Sequence, residues 1–308
     1  MNLLLTGASG QLGQELRPQL RELGRLHLVD RAVAPGDRET LVQELGDLGR
    51  VEILLNRMRP DIVVNAAAYT AVDRAEDDTE TAFRINEELP GCIARWAQRN
   101  DRLLVHYSTD YVFSGDASRP YTEKDTPGPL SVYGESKLAG ETAIVESGCR
   151  QLTLRTSWVY SGHGNNFVLT MLRLARERPS LSIVSDQTGC PTWARNLASV
   201  SRAVIEQYSE DENHTGRQGV YHYCDGDAVS WYEFARTIFK KAMQAGLLQR
   251  LPKMTAVPSS GFPQKAGRPL NSVLDTTRIQ QEFGIEPAGL EPSLESCLME
   301  MVENEQQD

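Results

Sequence analysis

The sequence predicts an α/β fold in which helices cover both faces of a parallel β-sheet. Short apolar runs alternate with helical segments through the first half of the chain, and short turns separate them. The first apolar run leads directly into a glycine-rich loop, which is typical of a Rossmann-type doubly wound parallel sheet. The pattern loosens beyond Trp158, so we expect a smaller C-terminal lobe beside the sheet.

Five apolar runs are expected to form the parallel strands. Each run is short and nearly continuous, as in strands that are buried on both faces. They are residues 2–6, 26–30, 61–65, 102–108 and 151–156.

Helical patterns lie between these runs. One follows the glycine loop to about Leu23, a second covers roughly residues 79–99, and a third carries Tyr133 and Lys137. Residues 41–57 have a mixed pattern whose register stays open. The proline- and glycine-rich residues 110–130 are expected to form a loop.

The composition argues against several classes of function. A formal net charge of −10 is unfavourable for broad nucleic-acid binding, which needs a basic surface. No run approaches the roughly 18 apolar residues of a membrane span. The five cysteines are scattered and lack C-x-x-C spacing, so we interpret them as reduced thiols of a cytoplasmic protein. The histidines form no ligand-spaced cluster, and no metal site is expected.

A glycine loop and an acidic residue predict a dinucleotide site. Gly7, Gly10 and Gly13 form a G-x-x-G-x-x-G pattern between a predicted strand and a predicted helix. Such a loop lets the backbone approach a pyrophosphate at a helix N-terminus. Asp30 ends the second strand, where a carboxylate favours the ribose of NADH. Arg31 follows it and could hold the additional phosphate of NADPH, so the choice between the two cofactors stays open.

We therefore expect two structural units. Residues 1–160 and roughly 193–225 would form the dinucleotide-binding domain. Residues 161–192 and 226–308, approximately, would form the smaller lobe, because their turn-rich segments mix aromatic, amide and basic groups.

Tyr133 and Lys137 form a Y-x-x-x-K pattern. A separation of four residues places both side chains on one face of a helix, about one turn apart. A nearby ammonium favours the phenolate, so we expect it to lower the pKa of Tyr133 toward neutrality and to make the phenol a proton donor.

Several blocks together resemble the dTDP-4-dehydrorhamnose reductase family of extended short-chain dehydrogenases/reductases. The resemblance runs in family order from Gly7 to about Asp275, which is nearly the whole chain. Besides the glycine loop, the blocks that carry it are NAAAYTAVDRAE, HYSTDYVFSG, VYGESKLAGE, RTSWVYSGHGNNF, SDQTGCPT and GRPLNSVLD.

The resemblance implies reduction of a 4-keto sugar attached to dTDP, which gives dTDP-L-rhamnose, with NADPH or NADH as hydride donor. Tyr133 would protonate the ketone oxygen, and Lys137 would lower the tyrosine pKa and bind the nicotinamide ribose. Thr109 would hydrogen-bond the carbonyl. Asp110 and Trp158 would contact the sugar nucleotide.

The resemblance also implies a set of cofactor contacts. Residues of the glycine loop would wrap the pyrophosphate, small residues would let the cofactor cross the sheet edge, and one tyrosine would lie near the nicotinamide. These are Gly7, Gly10, Gln11, Leu12 and Gly13; Ala66, Ala67 and Ala68; and Tyr107.

The chain departs from the family pattern between Asp30 and Pro60. The segment expected to contact adenine is assigned to Asp47 and Leu48, with Asp37 as the competing position. Some family members dimerise through metal-bound glutamates.

Glu15 and Glu291 could match two of those glutamates, but Arg195 stands at the third position, so no metal is expected. A homodimer is allowed by the same resemblance. Arg268 is a further candidate for the substrate diphosphate.

Three alternative functions stay open. Sugar-nucleotide dehydratases carry a Thr-Asp-Glu run, but Tyr111 stands where their glutamate would be. Epimerases retain their cofactor, and the motifs do not exclude them. A regulatory subunit resembling that of methionine adenosyltransferase would keep the fold without catalysis.

Overall fold

The structure, a computed structural model, describes residues 1–211, 217–262 and 264–305. Its strands are β1 (Asn2–Thr6), β2 (Arg25–Asp30), β3 (Thr40–Val42), β4 (Ile62–Asn65), β5 (Leu103–Thr109), β6 (Arg150–Thr156), β7 (Val159–Tyr160), β8 (Ser180–Val184), β9 (Thr188–Gly189), β10 (Thr192–Trp193), β11 (Gly219–His222), β12 (Val229–Ser230) and β13 (Lys253–Val257).

The helices lie between these strands in an alternating order. They are α1 (Gln11–Arg21), α2 (Leu48–Met58), α3 (Val72–Ala75), α4 (Thr79–Phe83), α5 (Leu89–Arg99), α6 (Val132–Ser147), α7 (Phe167–Glu177), α8 (Ala194–Glu210), α9 (Trp231–Gln244), α10 (Thr277–Phe283) and α11 (Leu290–Glu305). No helix among the described residues is long and apolar enough to cross a membrane.

A seven-stranded sheet forms the centre of the molecule, in the order β11-β6-β5-β4-β1-β2-β3. Every pairing within it is parallel. The predicted doubly wound α/β class is therefore confirmed. The strand order reverses beside β1: the chain passes from β1 outward to β2 and β3 on one side, and then returns to β4 on the other side. A ligand crevice is expected there, at the carboxyl ends of the strands.

Two strands of this sheet were absent from the sequence prediction. β3 has only three residues at the sheet edge, and two of them are exposed, so it shows no apolar run. β11 follows a long excursion of the chain and pairs with β6. Short or edge strands give weak periodic signals, because few of their side chains are buried.

The helix expected over residues 79–99 is interrupted. Residues Arg84–Glu88 form a π-helical turn between α4 and α5. The Asn86 side chain in this turn bonds the backbone of Tyr69 on both its amide and carbonyl groups. π-Turns within helices are rare and occur often at functional sites.

Two apolar layers cover the sheet. One contains buried side chains of α1, α8 and α10, including Leu16, Leu197 and Phe283. The other contains residues of α2 and α5, including Leu55 and Ile93. Helix α6 packs on the second side, against α5 and the π-turn. Because the side chains of a strand alternate between faces, β1, β2, β4 and β5 contribute to both layers.

A separate apolar cluster lies among α7, α9, α11 and β8, and contains Phe234, Leu172, Leu294 and Ile183. This cluster is the core of the smaller lobe. Meanwhile α8 packs against α1, and β11 joins the central sheet. The division at residues 160, 193 and 225 stays a prediction.

Candidate functional site

The glycine loop approaches the neighbouring backbone so closely that side chains are excluded. Gly7 has a φ of +70°, and a Cβ on it would lie 2.5 Å from the backbone nitrogen of Ala67. A Cβ on Gly13 would overlap the carbonyl oxygen of Gly7. Gly10 is the N-cap of α1, and no side chain caps the helix. The N–H groups of the first turn are thus available to an anion, as a pyrophosphate requires.

An open cleft of about 640 Å³ adjoins this loop at the carboxyl ends of β1, β2 and β4. Its lining includes the predicted cofactor residues Gly7, Gly10, Asp30, Arg31, Ala66, Ala67 and Ala68. Asp30 Oδ2 accepts from Ser9 N at 2.8 Å, and Oδ1 accepts from Arg31 N at 2.7 Å. The carboxylate is therefore fixed at the cleft, and the residues present fit a dinucleotide.

Gln11 and Leu12 present only backbone to such a ligand. The Gln11 side-chain amide donates to the Val159 carbonyl at 3.0 Å. The Leu12 side chain packs against the sheet core. Both side chains are therefore structural, and any contact with a pyrophosphate would come from their N–H groups.

The assignment of Asp47 and Leu48 to the adenine site stays a prediction. Asp47 is the N-cap of α2, where its carboxylate accepts from Arg50 N, and Leu48 packs on the sheet core. Glu44 and Leu45, which follow β3, line the cleft. Glu44 lines the cleft and Asp47 caps α2. The sequence does not show which of the two acids does which, because that depends on where β3 ends. The competitor Asp37 forms an ion pair with Arg17 at 2.9 Å.

Helix α6 holds Tyr133 and Lys137 close to the sheet. The Ser131 side chain caps the helix by accepting from Gly134 N at 3.2 Å. A Cβ on Gly134 would overlap the Tyr111 carbonyl, and one on Gly140 would overlap the Asn86 carbonyl. These close approaches explain the small residues in the motif, since any larger side chain would push α6 outward.

Lys137 is buried, with 2% of its surface exposed. Its Nζ donates to the Tyr107 carbonyl at 2.6 Å and lies 3.4 Å from Nε2 of His106. Burial lowers the pKa of Lys137 to about 8, while the Glu141 carboxylate acts in the opposite direction. At neutral pH the side chain is still an ammonium.

Burial raises the pKa of Tyr133 to about 12, and a hydrogen bond with Thr109 opposes that rise. The pKa shift is therefore opposite in direction to the lowering toward neutrality that we expected. The lysine ammonium is directed to the Tyr107 carbonyl, so it does not offset the desolvation of the phenol. Tyr133 accordingly holds its proton on Oη at neutral pH.

Thr109 and Asp110 form a buried polar unit beside Tyr133. Thr109 Oγ1 donates to Asp110 Oδ1 at 2.9 Å, and Ser157 Oγ donates to Asp110 Oδ2 at 3.0 Å. Burial raises the pKa of Asp110 to about 6. Both carboxylate oxygens are used within the protein and the residue is 2% exposed. Asp110 thus orients Thr109, and the predicted direct contact with substrate is not supported by this geometry.

Tyr107 does not face the cleft with its side chain. Its ring packs in the layer formed by α1 and α8, and its hydroxyl donates to Ser201 Oγ at 2.8 Å. The next residue toward the N-terminus, His106, faces α6. That Tyr107 lies near the nicotinamide stays a prediction, and only its backbone carbonyl reaches Lys137. Strand alternation could not have revealed the direction of its side chain, because every residue of β5 is buried and both of its faces are core.

Trp158 adopts an uncommon left-handed backbone conformation, with φ +48°. Its indole stacks on Trp231 of α9, with ring centroids 3.3 Å apart and an interplanar angle of 4°. A Cβ on Gly189 would lie 2.5 Å from Trp158 Cε2, so glycine is required there. The sequence prediction missed Trp231, which no motif distinguishes from an ordinary core aromatic residue.

Arg268 forms an ion pair with an acidic residue, Asp73. Its guanidinium pairs with Asp73 at 2.8 Å and interacts with Tyr111. A substrate diphosphate would have to replace Asp73 as its partner. We therefore derive no substrate contact for Arg268 from this geometry.

Glu15 lies in an ion-pair cluster on the far side of the glycine loop. Arg195 Nε donates to Glu15 at 2.9 Å and also pairs with Glu300. Glu291 pairs with Lys241 at 3.1 Å. Among the described residues, no group of three or more His, Cys, Asp or Glu side chains is placed to hold a metal ion.

The chain matches a family model, and its relatives cover the same length. The model described as RmlD substrate binding domain matches residues 1–303. A dTDP-4-dehydrorhamnose reductase of Escherichia coli strain K12 is 43% identical over 288 residues, covering 92% of this chain and 93% of the relative. A Burkholderia thailandensis protein of the same name is 43% identical over 292 residues, covering 93% of this chain and 94% of its own.

Solved structures give the same result. A dTDP-4-dehydrorhamnose reductase of Bacillus anthracis in complex with NADP has a TM-score of 0.82 and 31% identity, covering 97% of this chain and 98% of that one. An orthologue from Clostridium acetobutylicum has a TM-score of 0.82 and 33% identity, covering 99% and 100% of the two chains. The resemblance in the motifs is thus confirmed: the chain belongs to the dTDP-4-dehydrorhamnose reductase family.

Proposed function

We propose that this protein is an NAD(P)H-dependent oxidoreductase that reduces the 4-keto group of dTDP-4-dehydro-L-rhamnose to give dTDP-L-rhamnose. The observation that carries the proposal is the contact of Tyr133 with Thr109 beside an anchored Lys137, at the sheet edge that also holds the dinucleotide cleft. The relatives that match nearly the whole chain bear the name of this reductase.

The residues around the cleft would hold the cofactor. The first-turn N–H groups of α1 would bind the pyrophosphate, and Asp30 would accept from the adenosine ribose. Ala66, Ala67 and Ala68 would leave room where the dinucleotide crosses the sheet edge. When bound, NADPH or NADH supplies the hydride.

Tyr133 would supply the proton. Its phenol is protonated at neutral pH because burial holds its pKa at about 12. As negative charge develops on the ketone oxygen, the proton would pass from Tyr133 Oη to that oxygen. The resulting phenolate would be stabilised by the positive charge of Lys137, whose third N–H is not used by the described residues, and by Thr109 only if its hydroxyl turned from Asp110 to donate to the phenolate.

Thr109 and Asp110 would set the direction of hydrogen bonding around the phenol. Because the Thr109 hydroxyl donates to Asp110 at 2.9 Å and accepts from Tyr111 N at 3.2 Å, one lone pair of its oxygen is left for Tyr133. Thr109 would thus hold the phenol by accepting from it before reaction. To donate to the substrate carbonyl, as the family resemblance implies, the Thr109 hydroxyl would have to break its hydrogen bond with Asp110.

The assay that tests the proposal follows NADPH or NADH absorbance with dTDP-4-dehydro-L-rhamnose, generated by coupled pathway enzymes. We expect oxidation of at least one cofactor in proportion to the dTDP-L-rhamnose formed. Absence of oxidation with both cofactors would refute the function. Dinucleotide that remains bound through gel filtration, together with turnover without net oxidation, would instead favour an epimerase.

We also propose a cytoplasmic location, since all five cysteines are free thiols. The oligomeric state that we propose is the homodimer that the family resemblance allows. Sedimentation velocity would test it directly, and a single species of 34.3 kDa would count against it.

A further inference from the structure

A chain of buried polar side chains leads from β1 to the catalytic lysine. His106 in β5 is 1% exposed, and it pairs in register with Asn65 at the end of β4. Its Nδ1 lies 3.1 Å from the Asn65 amide, and its Nε2 lies 3.4 Å from Lys137 Nζ. The Asn65 amide contacts Thr6 Oγ1 at 2.6 Å. His106 begins the HYSTDYVFSG block, but the sequence predicts no role for it, and the proposed reaction gives it no task.

The hydrogen-bonding capacities of these groups decide where the imidazole proton lies. If the Asn65 NH₂ donated to Nδ1, the ring proton would lie on Nε2 and point at an ammonium, which can only donate. Rotating the amide by about 180° exchanges its oxygen and nitrogen without altering its shape. The Asn65 oxygen then accepts from Nδ1–H, its NH₂ donates to the Thr6 hydroxyl, and Nε2 accepts from Lys137.

The geometry points to His106 as a positioning residue for Lys137: a neutral imidazole, protonated on Nδ1, whose Nε2 accepts a hydrogen bond from the ammonium. The Tyr107 carbonyl accepts a second N–H at 2.6 Å. An ammonium has three donors, so two fixed bonds leave one for a ligand. The inference rests on the proposed function in one respect, namely that Lys137 acts as a charged group.

The electrostatic surroundings agree with a neutral imidazole. Burial and the Lys137 ammonium both lower the pKa of His106 well below its ordinary value, while a hydrogen bond to the Asn65 backbone acts in the opposite direction. The remaining titratable groups near Lys137 are Tyr133, one turn away, and Glu141, whose carboxylate is paired with Arg155 at 2.6 Å. None of these groups would protonate His106, so its Nε2 lone pair persists at the pH of catalysis.

The direct test is the ¹⁵N NMR spectrum of the imidazoles in the intact protein, labelled at histidine and assigned with a His106→Gln variant. Chemical shifts distinguish protonated from unprotonated ring nitrogens. We expect His106 to be protonated on Nδ1 and unprotonated on Nε2 from about pH 6 to 8. Protonation on Nε2, or on both nitrogens, would overturn the inference. This measurement needs no substrate, so it stands whether or not the protein reduces the proposed sugar.

A kinetic test separates positioning from a merely structural role. In His106→Phe the ammonium loses an acceptor, so the pKa of Lys137 should fall and the alkaline limb of the pH–rate profile should move down by about one to two pH units. In His106→Gln the amide oxygen can accept in place of Nε2, and the limb should return toward its original position.

The matched control is His27→Phe, because His27 lies in β2 and contacts Asn2 at 2.9 Å, away from Lys137. An alkaline limb that stays unchanged in folded His106→Phe protein would contradict the inference. If that variant does not fold, the NMR experiment on the unmodified protein decides.

Discussion

Replacing Asp110 with asparagine should stabilise the protein at neutral pH and impair catalysis. The carboxyl is 2% exposed, and burial raises its pKa from 3.8 to about 6. Each pKa unit corresponds to about 1.4 kcal/mol, so ionised Asp110 costs the folded state on the order of 3 kcal/mol. The asparagine side chain would carry no charge, and its amide could still accept from Thr109 and donate to Ser157.

The sign of the pH dependence follows from the raised pKa. Below pH 3.8 the group is protonated in both states and costs nothing. Between pH 3.8 and about 6 the unfolded chain has lost the proton while the folded chain retains it, so stability falls as pH rises. Above about pH 6 the penalty is constant. The advantage of Asp110→Asn should therefore grow from pH 4 toward pH 6 and then remain level.

Urea unfolding followed by tryptophan fluorescence at several pH values measures this difference directly. We expect an advantage of up to about 3 kcal/mol at pH 7.5 that shrinks toward pH 4.5. Ser199→Ala, on an exposed face of α8, is a control that should show no pH-dependent difference. A variant less stable than the parent at pH 7.5, or a difference independent of pH, would refute the account. A charge retained at such a cost is consistent with a role in orienting Thr109.

Three further changes test the site. Tyr133→Phe should reduce turnover by about 10² to 10⁴ because the proton donor is lost, while circular dichroism shows a retained fold; near-parental turnover would mean that another group is the donor. Trp231→Ala should raise KM for the sugar nucleotide more than it lowers kcat, since Trp158 loses its stacking partner. Trp231→Phe should restore most of the affinity. Equal KM values in the parent and the alanine variant would show that Trp231 does not support substrate binding. Asp30→Ala should weaken NADH more than NADPH in steady-state kinetics, because the ribose acceptor is removed; an equal loss for both would show that Asp30 does not discriminate between the cofactors.

The polar residues around Tyr133 come from different elements of the fold. Thr109 ends β5, Tyr133 and Lys137 lie on α6, and Ser157 follows β6. Parallel strands bring their carboxyl ends to one edge of the sheet, and the close packing of α6 through its glycines brings the helix there. The site is thus assembled by the sheet and not by any single segment.

The sequence by itself determined the fold class, the glycine loop and the Y-x-x-x-K pair. These depend on local signals: apolar runs of strand length, glycines where no Cβ fits, and helical spacing. It also yielded the family, because ordered motifs over nearly the whole chain are specific.

Only the tertiary structure decided which face each side chain takes and what surrounds it. It added Glu44 and Leu45 to the lining of the cleft, directed Tyr107 into the core and joined His106 to Lys137. It also reversed the expected pKa shift of Tyr133, since desolvation depends on every neighbouring element. Burial and contacts between distant segments are properties of packing, and no periodicity along the chain encodes them.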